Sequence, residues 1–534
     1  MFSFEDIDVI SFDIFDTLLL RPFVKPTDLF RWLERDASAY GFAQERIEAE
    51  RRAAFRADKS GLGEVTIDEI YLEIPQWGWM KEKELDAERA LIVANPEISI
   101  LYNRAKSLGK KIAIVSDMYL PRKFVENLLV RNGYYSWDYF YLSSDLRKTK
   151  HTGELFKCLI EDAAVNPNRI IHIGDNMHSD NLMPARLGIR TMSYKRPFEV
   201  FKSINPFVHA VLAKNDSLDL ALGIGAVCLA WHSLKNGTSA VSYWQTIGCV
   251  VGGMFGYAYM NRVCEIAKEL QLELLLFVAR DGYTLEKICN MMHPEIKTKY
   301  VFAPRQVRSS SDSRVREEYK AYIYSLGITE SRIGVVDTTS LKFSGQKLLA
   351  EYIGKDIFGF YTVALALPCP GWCMLYSPNA TLGFMNLIEF LYSAPHPPVA
   401  SVKAGTPVYF HTSQQEKKRM EVCPEISRAE LLAVEMLLKT KPVLTPTDIC
   451  DFLDSFIENV SNADYKRFNE VAHSIDVSHT NIVPVIKQSV HARKWHFYKK
   501  ALPYRRHAFR SGLQMIYEDY LFGLIRFRTK VTSL

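Results

Sequence analysis

Cysteine is nearly missing from the first 227 residues of this 534-residue chain, where Cys158 stands alone, and none of the nine cysteines forms a Cys-x-x-Cys pair. That scatter excludes a disulfide framework and a thiolate zinc site and fits a reduced, intracellular protein. Long hydrophobic runs are lacking too, although a membrane span needs about 20 predominantly apolar residues. The two most apolar stretches are 218–234, which contains Asp219 and His232, and 243–263, which is rich in Gly and Tyr and runs into Glu265. Both read as buried or small-residue packing helices. The opening MFSFEDIDVISFD has no basic segment and carries acids early, unlike a secretory signal. A cytoplasmic location is therefore expected. Internal repeats and low-complexity segments are absent from the sequence. With 48% apolar and 24% charged residues, disordered, collagen-like and supercharged classes are excluded. At this length about three or four domains with full cores are expected.

Charge is uneven. The formal net charge is +5, yet residues 487–534 hold eleven basic and two acidic residues, so the remainder is mildly acidic. In this tail, residues 493–500 interleave Arg493, Lys494, Lys499 and Lys500 with Trp495, Phe497 and Tyr498. Two readings stand: an amphipathic helix whose rings are core, or a basic end that makes peripheral contact with a membrane surface. Nucleic acid is not expected as a partner.

The first 200 residues alternate short apolar runs with helical patterns. The runs are 9–12, 112–115, 139–142, 170–173 and 191–193. Such alternation predicts an α/β fold with a parallel sheet covered on both faces. Ligands of such sheets bind beyond the carboxyl ends of the strands. Asp13, Ser116, Ser143 and Asp175 lie there. The insert 21–95 contains GFAQERIEAERRAAFRA and EKELDAERALIVA, two amphipathic helical patterns. It reads as a helical cap over the cleft or as an extra packing subdomain. The expected divisions are 1–207, with core 1–20 and 96–207 and cap 21–95; a second α/β domain at 215–411; and a helical, basic region at 412–534. Strands of the second domain are expected at 274–278, 300–302, 333–336 and 358–363.

Four motifs follow successive strands: Phe12-Asp13-Ile14-Phe15-Asp16-Thr17-Leu18, Ser116-Asp117, Lys150, and Gly174-Asp175 with Asp180. In this order they resemble the haloacid dehalogenase (HAD) superfamily, over about residues 6–195. The phrases SFDIFDTLL, IVSDMYLP and IHIGDNMHSDNLMPARLGI resemble a subgroup of large HAD hydrolases with a C-terminal extension. FVARDGYTLEKI, VVDTTSLKFSGQKL and EFLYSAP resemble segments of that extension. Members of this subgroup often accompany glycosyltransferases in bacterial surface-polysaccharide gene clusters. The resemblance implies a Rossmann-like domain, a phosphorylated small-molecule substrate such as a phosphosugar or glycan-assembly intermediate, and glycan-assembly enzymes as partners.

The resemblance also implies roles, which chemistry supports. Asp13 would attack phosphorus and form an aspartyl-phosphate. A carboxylate approaching a phosphate dianion is repelled, which calls for Mg²⁺. Asp13, Asp175 and the Phe15 carbonyl would be its oxygen ligands, with Asp180 a ligand or an orienting group. Lys150, rather than Lys148, would hold the phosphoryl group, and Ser116 would donate a hydrogen bond to it. One departure matters. Superfamily phosphatases usually carry a second Asp two residues after the nucleophile, as acid and base. Phe15 occupies that position here, and Asp16 follows it. Asp16, Asp117 or His178 would then serve, or the substrate has a leaving group that needs no acid, or the site is catalytically impaired and the protein is a binding module. His151 and His172 read as structural. In the second domain Arg280, Asp281, Asp337 and Ser344 are candidates for a phosphate or nucleotide-sugar site, to which Arg305 and Arg308 would add charge; Glu389 belongs to the same site or pairs with an arginine. A transferase centred there is the further alternative.

Overall fold

The computed structural model describes residues 5–235, 240–340, 342–364, 369–376, 382–474 and 482–485. The segments 487–534 and 493–500 lie outside the described residues. The chain divides into two compact units. The first comprises Met1–Asn205, Asp216–Val241 and Lys439–Pro442, and the second comprises Pro206–Asn215, Ser242–Leu438 and the chain from Val443.

The first unit is built on five parallel strands: β1 (Val9–Phe12), β2 (Lys111–Ser116), β3 (Tyr139–Leu142), β4 (Ile170–Gly174) and β5 (Arg190–Ser193). Their order is β3-β2-β1-β4-β5. Strands buried on both faces read as continuous apolar runs rather than alternations, and β1 and β4 are buried throughout. The chain winds outward from β1 to β3 and then crosses to the other side of β1. This reversal opens a crevice at the carboxyl ends of β1 and β4.

The insert between β1 and β2 is helical, at Asp28–Asp36, Phe42–Lys59, Ile67–Leu72 and Met80–Leu91. Its centre is a buried ion pair. The guanidinium of Arg46 donates from Nε and Nη2 to both oxygens of Glu84 at 2.9 Å, and the hydroxyls of Tyr71 and Tyr119 donate to the same carboxylate. The insert is tied to the core through Glu64, whose Oε2 accepts from Ser143 and whose carbonyl accepts from Arg147. The apolar stretch from residue 218 is the helix Leu218–Ser233, buried along most of its length. Gly225 is required there, because a Cβ at that position would stand 2.4 Å from the Pro22 carbonyl oxygen. Among the described residues, no helix is long and apolar enough to cross a membrane.

The second unit holds another parallel sheet: β6 (Leu274–Val278), β7 (Thr298–Val301), β8 (Ile333–Ser340), β9 (Ile357–Ala364) and β10 (Gly371–Tyr376), in the order β10-β9-β8-β6-β7. It reverses direction between β6 and β8. An antiparallel hairpin, Val399–Lys403 with Thr406–Tyr409, was not expected from the sequence. Beyond it the described residues are mainly helical, at Gln414–Thr440, Pro446–Glu458 and Asn462–Glu470. Thr445 and Asp448 form a reciprocal capping box at the start of the second of these. The architecture is thus α/β with two parallel sheets and a helical region toward the C-terminus.

Candidate active site

Asp13 lies one residue past β1, where its backbone N–H donates to the Ile173 carbonyl of β4. Asp175 lies one residue past β4. The two carboxylates therefore flank the crevice that the strand order creates. Asp180 arrives from the π-helical turn Met177–Leu182, which is fixed at its start by the Asn176 side chain accepting from the N–H groups of His178 and Ser179. Ligand oxygens of Asp13, Asp175 and Asp180 lie within 4.8 Å of one another.

Lys150 completes the cluster. Its Nζ donates to Asp13 Oδ1 at 2.5 Å and to Asp180 Oδ1 at 2.6 Å. The loop that carries it is pinned by Asp117, whose two oxygens accept the backbone N–H groups of Lys150 and His151. Lys148, two residues earlier, instead reaches Cys158. Ser116 Oγ donates to Asp13 Oδ1 at 3.3 Å. Asp180 is held further by His172 Nε2 at 3.2 Å and by the Asn176 N–H at 2.9 Å, and the other nitrogen of His172 meets Ser11 Oγ at 2.7 Å.

The electrostatics follow from burial. Asp13, Lys150 and Asp180 are 5%, 3% and 1% exposed. Burial pushes the Asp13 carboxyl above its usual range, Asp180 and Asp175 add to that, and the Lys150 ammonium opposes it. Burial also works against an ionised Asp180, but Lys150 and His172 outweigh it and hold its carboxyl low. Asp175 is pushed up to about 6, first by burial and then by Asp16 and Asp180. Burial disfavours charge on Lys150, yet Asp13 and Asp180 keep it firmly protonated. Three carboxyl groups and one ammonium make an acidic cluster that a cation would help to ionise fully. Their oxygen donor set suits a hard divalent cation such as Mg²⁺.

Phe15 and Asp16 point elsewhere. The Phe15 ring is buried beneath the Arg21 guanidinium, 4.2 Å from its centroid, and Arg21 is itself held by both oxygens of Glu88. Asp16 adopts a left-handed backbone, with φ 60°. Its carboxylate stands 3.9 Å from Arg196 Nη1, while Arg196 Nε stands 3.6 Å from Asp175. Arg196 follows β5 closely. Beside it opens a cleft of about 630 Å³, mouth included, whose lining includes Asp16, Arg21, Phe23, Arg196 and Phe198.

Sequence reasoning did not single out Arg196, and it read His172 as structural. Arg196 lies three residues past the end of β5, and its local sequence carried no signal that set it apart. A histidine inside an otherwise apolar strand was the signal for His172.

The second-unit candidates gather at the other reversal. Asp281 follows β6 and Asp337 lies on β8; Thr338 Oγ1 stands 3.4 Å from Asp281 Oδ2, and Thr339 bonds Glu389. Asp337 is pushed up to about 7 by burial, then by Asp281 and Glu389, with Arg305 opposing. Arg280 stands 3.6 Å from Asp281 and 3.7 Å from Glu416. Ser344 opens the helix Ser344–Ile353.

No protein-family model matches the chain, and no curated protein matches it. Solved structures resemble part of it. A HAD-family enzyme of Bacteroides thetaiotaomicron, in complex with magnesium and inorganic phosphate, is 18% identical over 36% of this chain and 95% of its own, with a TM-score of 0.28. A predicted phosphoglycolate phosphatase of Haemophilus somnus 129PT is 20% identical over 36% of this chain and 86% of its own, with a TM-score of 0.27. An L-2-haloacid dehalogenase of Xanthobacter autotrophicus is 16% identical over 35% of this chain and 77% of its own, with a TM-score of 0.27.

Proposed function

We propose that the first unit is a Mg²⁺-dependent phosphohydrolase of the HAD type, acting on a phosphorylated small molecule through an aspartyl-phosphate at Asp13. The observation that carries this reading is the cluster of Asp13, half-buried Asp175 and Asp180, in which buried Asp13 and Asp180 share one lysine ammonium. Asp13, Asp175 and Asp180 would hold the ion, together with the Phe15 carbonyl. When bound, Mg²⁺ supplies positive charge that offsets the repulsion between carboxylate and phosphate.

The protein groups divide the remaining work. Asp13 is oriented for attack by its backbone bond to Ile173 and by Lys150. Lys150 offers charge to the transferring oxygens. Ser116 is near enough to turn its hydroxyl from Asp13 to a phosphoryl oxygen. Burial strengthens each of these interactions relative to water. The sequence resemblance favours a phosphosugar or glycan-assembly intermediate as substrate.

The test is phosphate release by the full-length protein across phosphosugars, nucleotides and an aryl phosphate, with and without Mg²⁺, beside Asp13→Asn. Release that requires both the ion and Asp13 supports the reading. Release that persists in Asp13→Asn refutes it.

A second reading rests on Asp281, Asp337 and Glu389 at the reversal of the other sheet, where raised carboxyl groups accompany many functional sites. It places a transferase site in the second unit. Calorimetric titration of nucleotide sugars onto full-length Asp13→Asn protein checks it, with Asp337→Asn as the control that should abolish any binding.

A further inference from the structure

Transfer of a phosphoryl group to Asp13 leaves an electron pair on the departing oxygen. Either a proton or a fixed positive charge must meet it. Most ionisable groups around Asp13 are already engaged, and Asp16 faces Arg196 at 3.9 Å. Lys150 is divided between Asp13 and Asp180. Asp117 has one oxygen on the Lys150 N–H and the other on the His151 N–H. His172 is fully buried between Ser11 and Asp180. His178 Nε2 lies 3.3 Å from the His151 carbonyl. Phe15 has nothing to ionise, and Arg21 above it is bound to Glu88.

Arg196 is different. Its side chain is 43% exposed, and its only ion pairs among the described residues, at 3.6 Å and 3.9 Å, are both longer than hydrogen bonds. It stands between the carboxylate cluster and the cleft. An arginine does not give up its proton in proteins, but it binds developing oxyanions strongly.

Resting on the phosphohydrolase reading, we propose that the substrate is a phosphoanhydride or acyl phosphate, whose leaving oxygen departs as a stable anion, and that Arg196 receives that anion in the adjoining cleft. The Asp13 oxygen–phosphorus bond forms as the bond from phosphorus to the leaving oxygen breaks. The electron pair stays on the leaving oxygen, and no proton is transferred. Water then attacks the phosphorus of the aspartyl-phosphate. The bond to Asp13 breaks, the carboxylate is restored, and the water's surplus proton leaves with inorganic phosphate or to solvent.

The experiment uses the full-length protein with Mg²⁺ and measures kcat and KM for acetyl phosphate, pyrophosphate, a series of substituted phenyl phosphates and glycerol 2-phosphate. Since a positioned acid is worth about 10²–10⁴-fold, kcat/KM should rise by at least about a hundredfold as the leaving group becomes less basic. Arg196→Gln should lower kcat on acetyl phosphate by about 10²-fold, the scale of losing one oxyanion-binding donor, with a smaller change in KM and partial recovery in Arg196→Lys. A flat dependence, with turnover still abolished by Asp13→Asn, overturns the inference and leaves the phosphohydrolase intact. A steep dependence with Arg196→Gln as active as the wild type removes Arg196 from it. No turnover of any probe, or turnover that survives Asp13→Asn, overturns the phosphohydrolase reading and this inference with it.

Discussion

Lys150→Met isolates the electrostatic logic of the site. The substitution keeps most of the aliphatic stem and deletes the ammonium that Asp13 and Asp180 share at 2.5 Å and 2.6 Å. Neither carboxylate can turn to water, being 5% and 1% exposed. Removing one partner of a buried ion pair costs about 3–5 kcal/mol, because the other charge stays buried and uncompensated. At about 2–4 °C per kcal/mol for a domain of 150–250 residues, the first unit should melt about 6–20 °C lower. A divalent cation should restore much of this. Ligand at a hundredfold excess over its Kd contributes about 2.7 kcal/mol to the folded state. The variant, freed of the competing ammonium, should gain more from Mg²⁺ than the wild type does.

Thermal melting in a chelator and across a Mg²⁺ titration measures both effects. Adding Asp180→Asn to Lys150→Met should recover part of the loss, since it removes one of the stranded charges, and the double-mutant cycle gives the coupling. If Lys150→Met melts with the wild type in chelator, the three carboxylates do not carry the charge assigned to them. If Mg²⁺ leaves the variant unmoved, the cluster is not a cation site.

Gly174 lies under Asp180: a Cβ there would stand 2.4 Å from Asp180 Cγ and 2.6 Å from its Cβ. Gly174→Ala should therefore displace the carboxylate from Lys150 and weaken Mg²⁺ binding by about 10–100-fold, the usual scale for losing an orienting partner; unchanged affinity by calorimetry would refute it. In the second unit, Glu430 is fully buried, and the nearby Thr284 hydroxyl and Lys287 only partly oppose the effect of that burial. Burial raises its carboxyl well above the ordinary 4.5, so the folded chain keeps a proton that the unfolded chain loses as pH rises past that value. Stability should fall by up to about 1.4 kcal/mol per pH unit above that point and below the folded-state value. Glu430→Gln should remove this slope from melting curves taken between acid and neutral pH, and parallel curves for the two proteins would refute the assignment.

What was legible in the chain depended on how local its cause is. The strands at 9–12 and 170–173 were plain because burial on both faces favours runs that are mostly apolar, broken here only by Ser11 and His172; the first is observed at Val9–Phe12 as expected and the second, Ile170–Gly174, is one residue longer. Gly371–Tyr376 was not among the expected strands: it opens on a Pro-Gly pair, a common turn signal, although it pairs in parallel with Ile357–Ala364. Thr298–Val301 was read two residues late because Phe302 extends the aromatic run beyond the last paired residue. Asp13 and Asp175 could be singled out because each directly follows a strand, and parallel sheets gather ligands at that edge. Arg196 could not be ranked this way. Its significance comes from the strand order, which sets the end of β5 beside that of β4 and brings the guanidinium within 3.6 Å of Asp175. Asp117 is similar: a carboxylate after a strand, it serves by accepting two backbone N–H groups thirty-odd residues away and so sets where Lys150 points. Residues whose chemistry acts at the sheet's edge announce themselves by position. Residues that aim or complement them become visible only once the crossover has brought distant strand ends together.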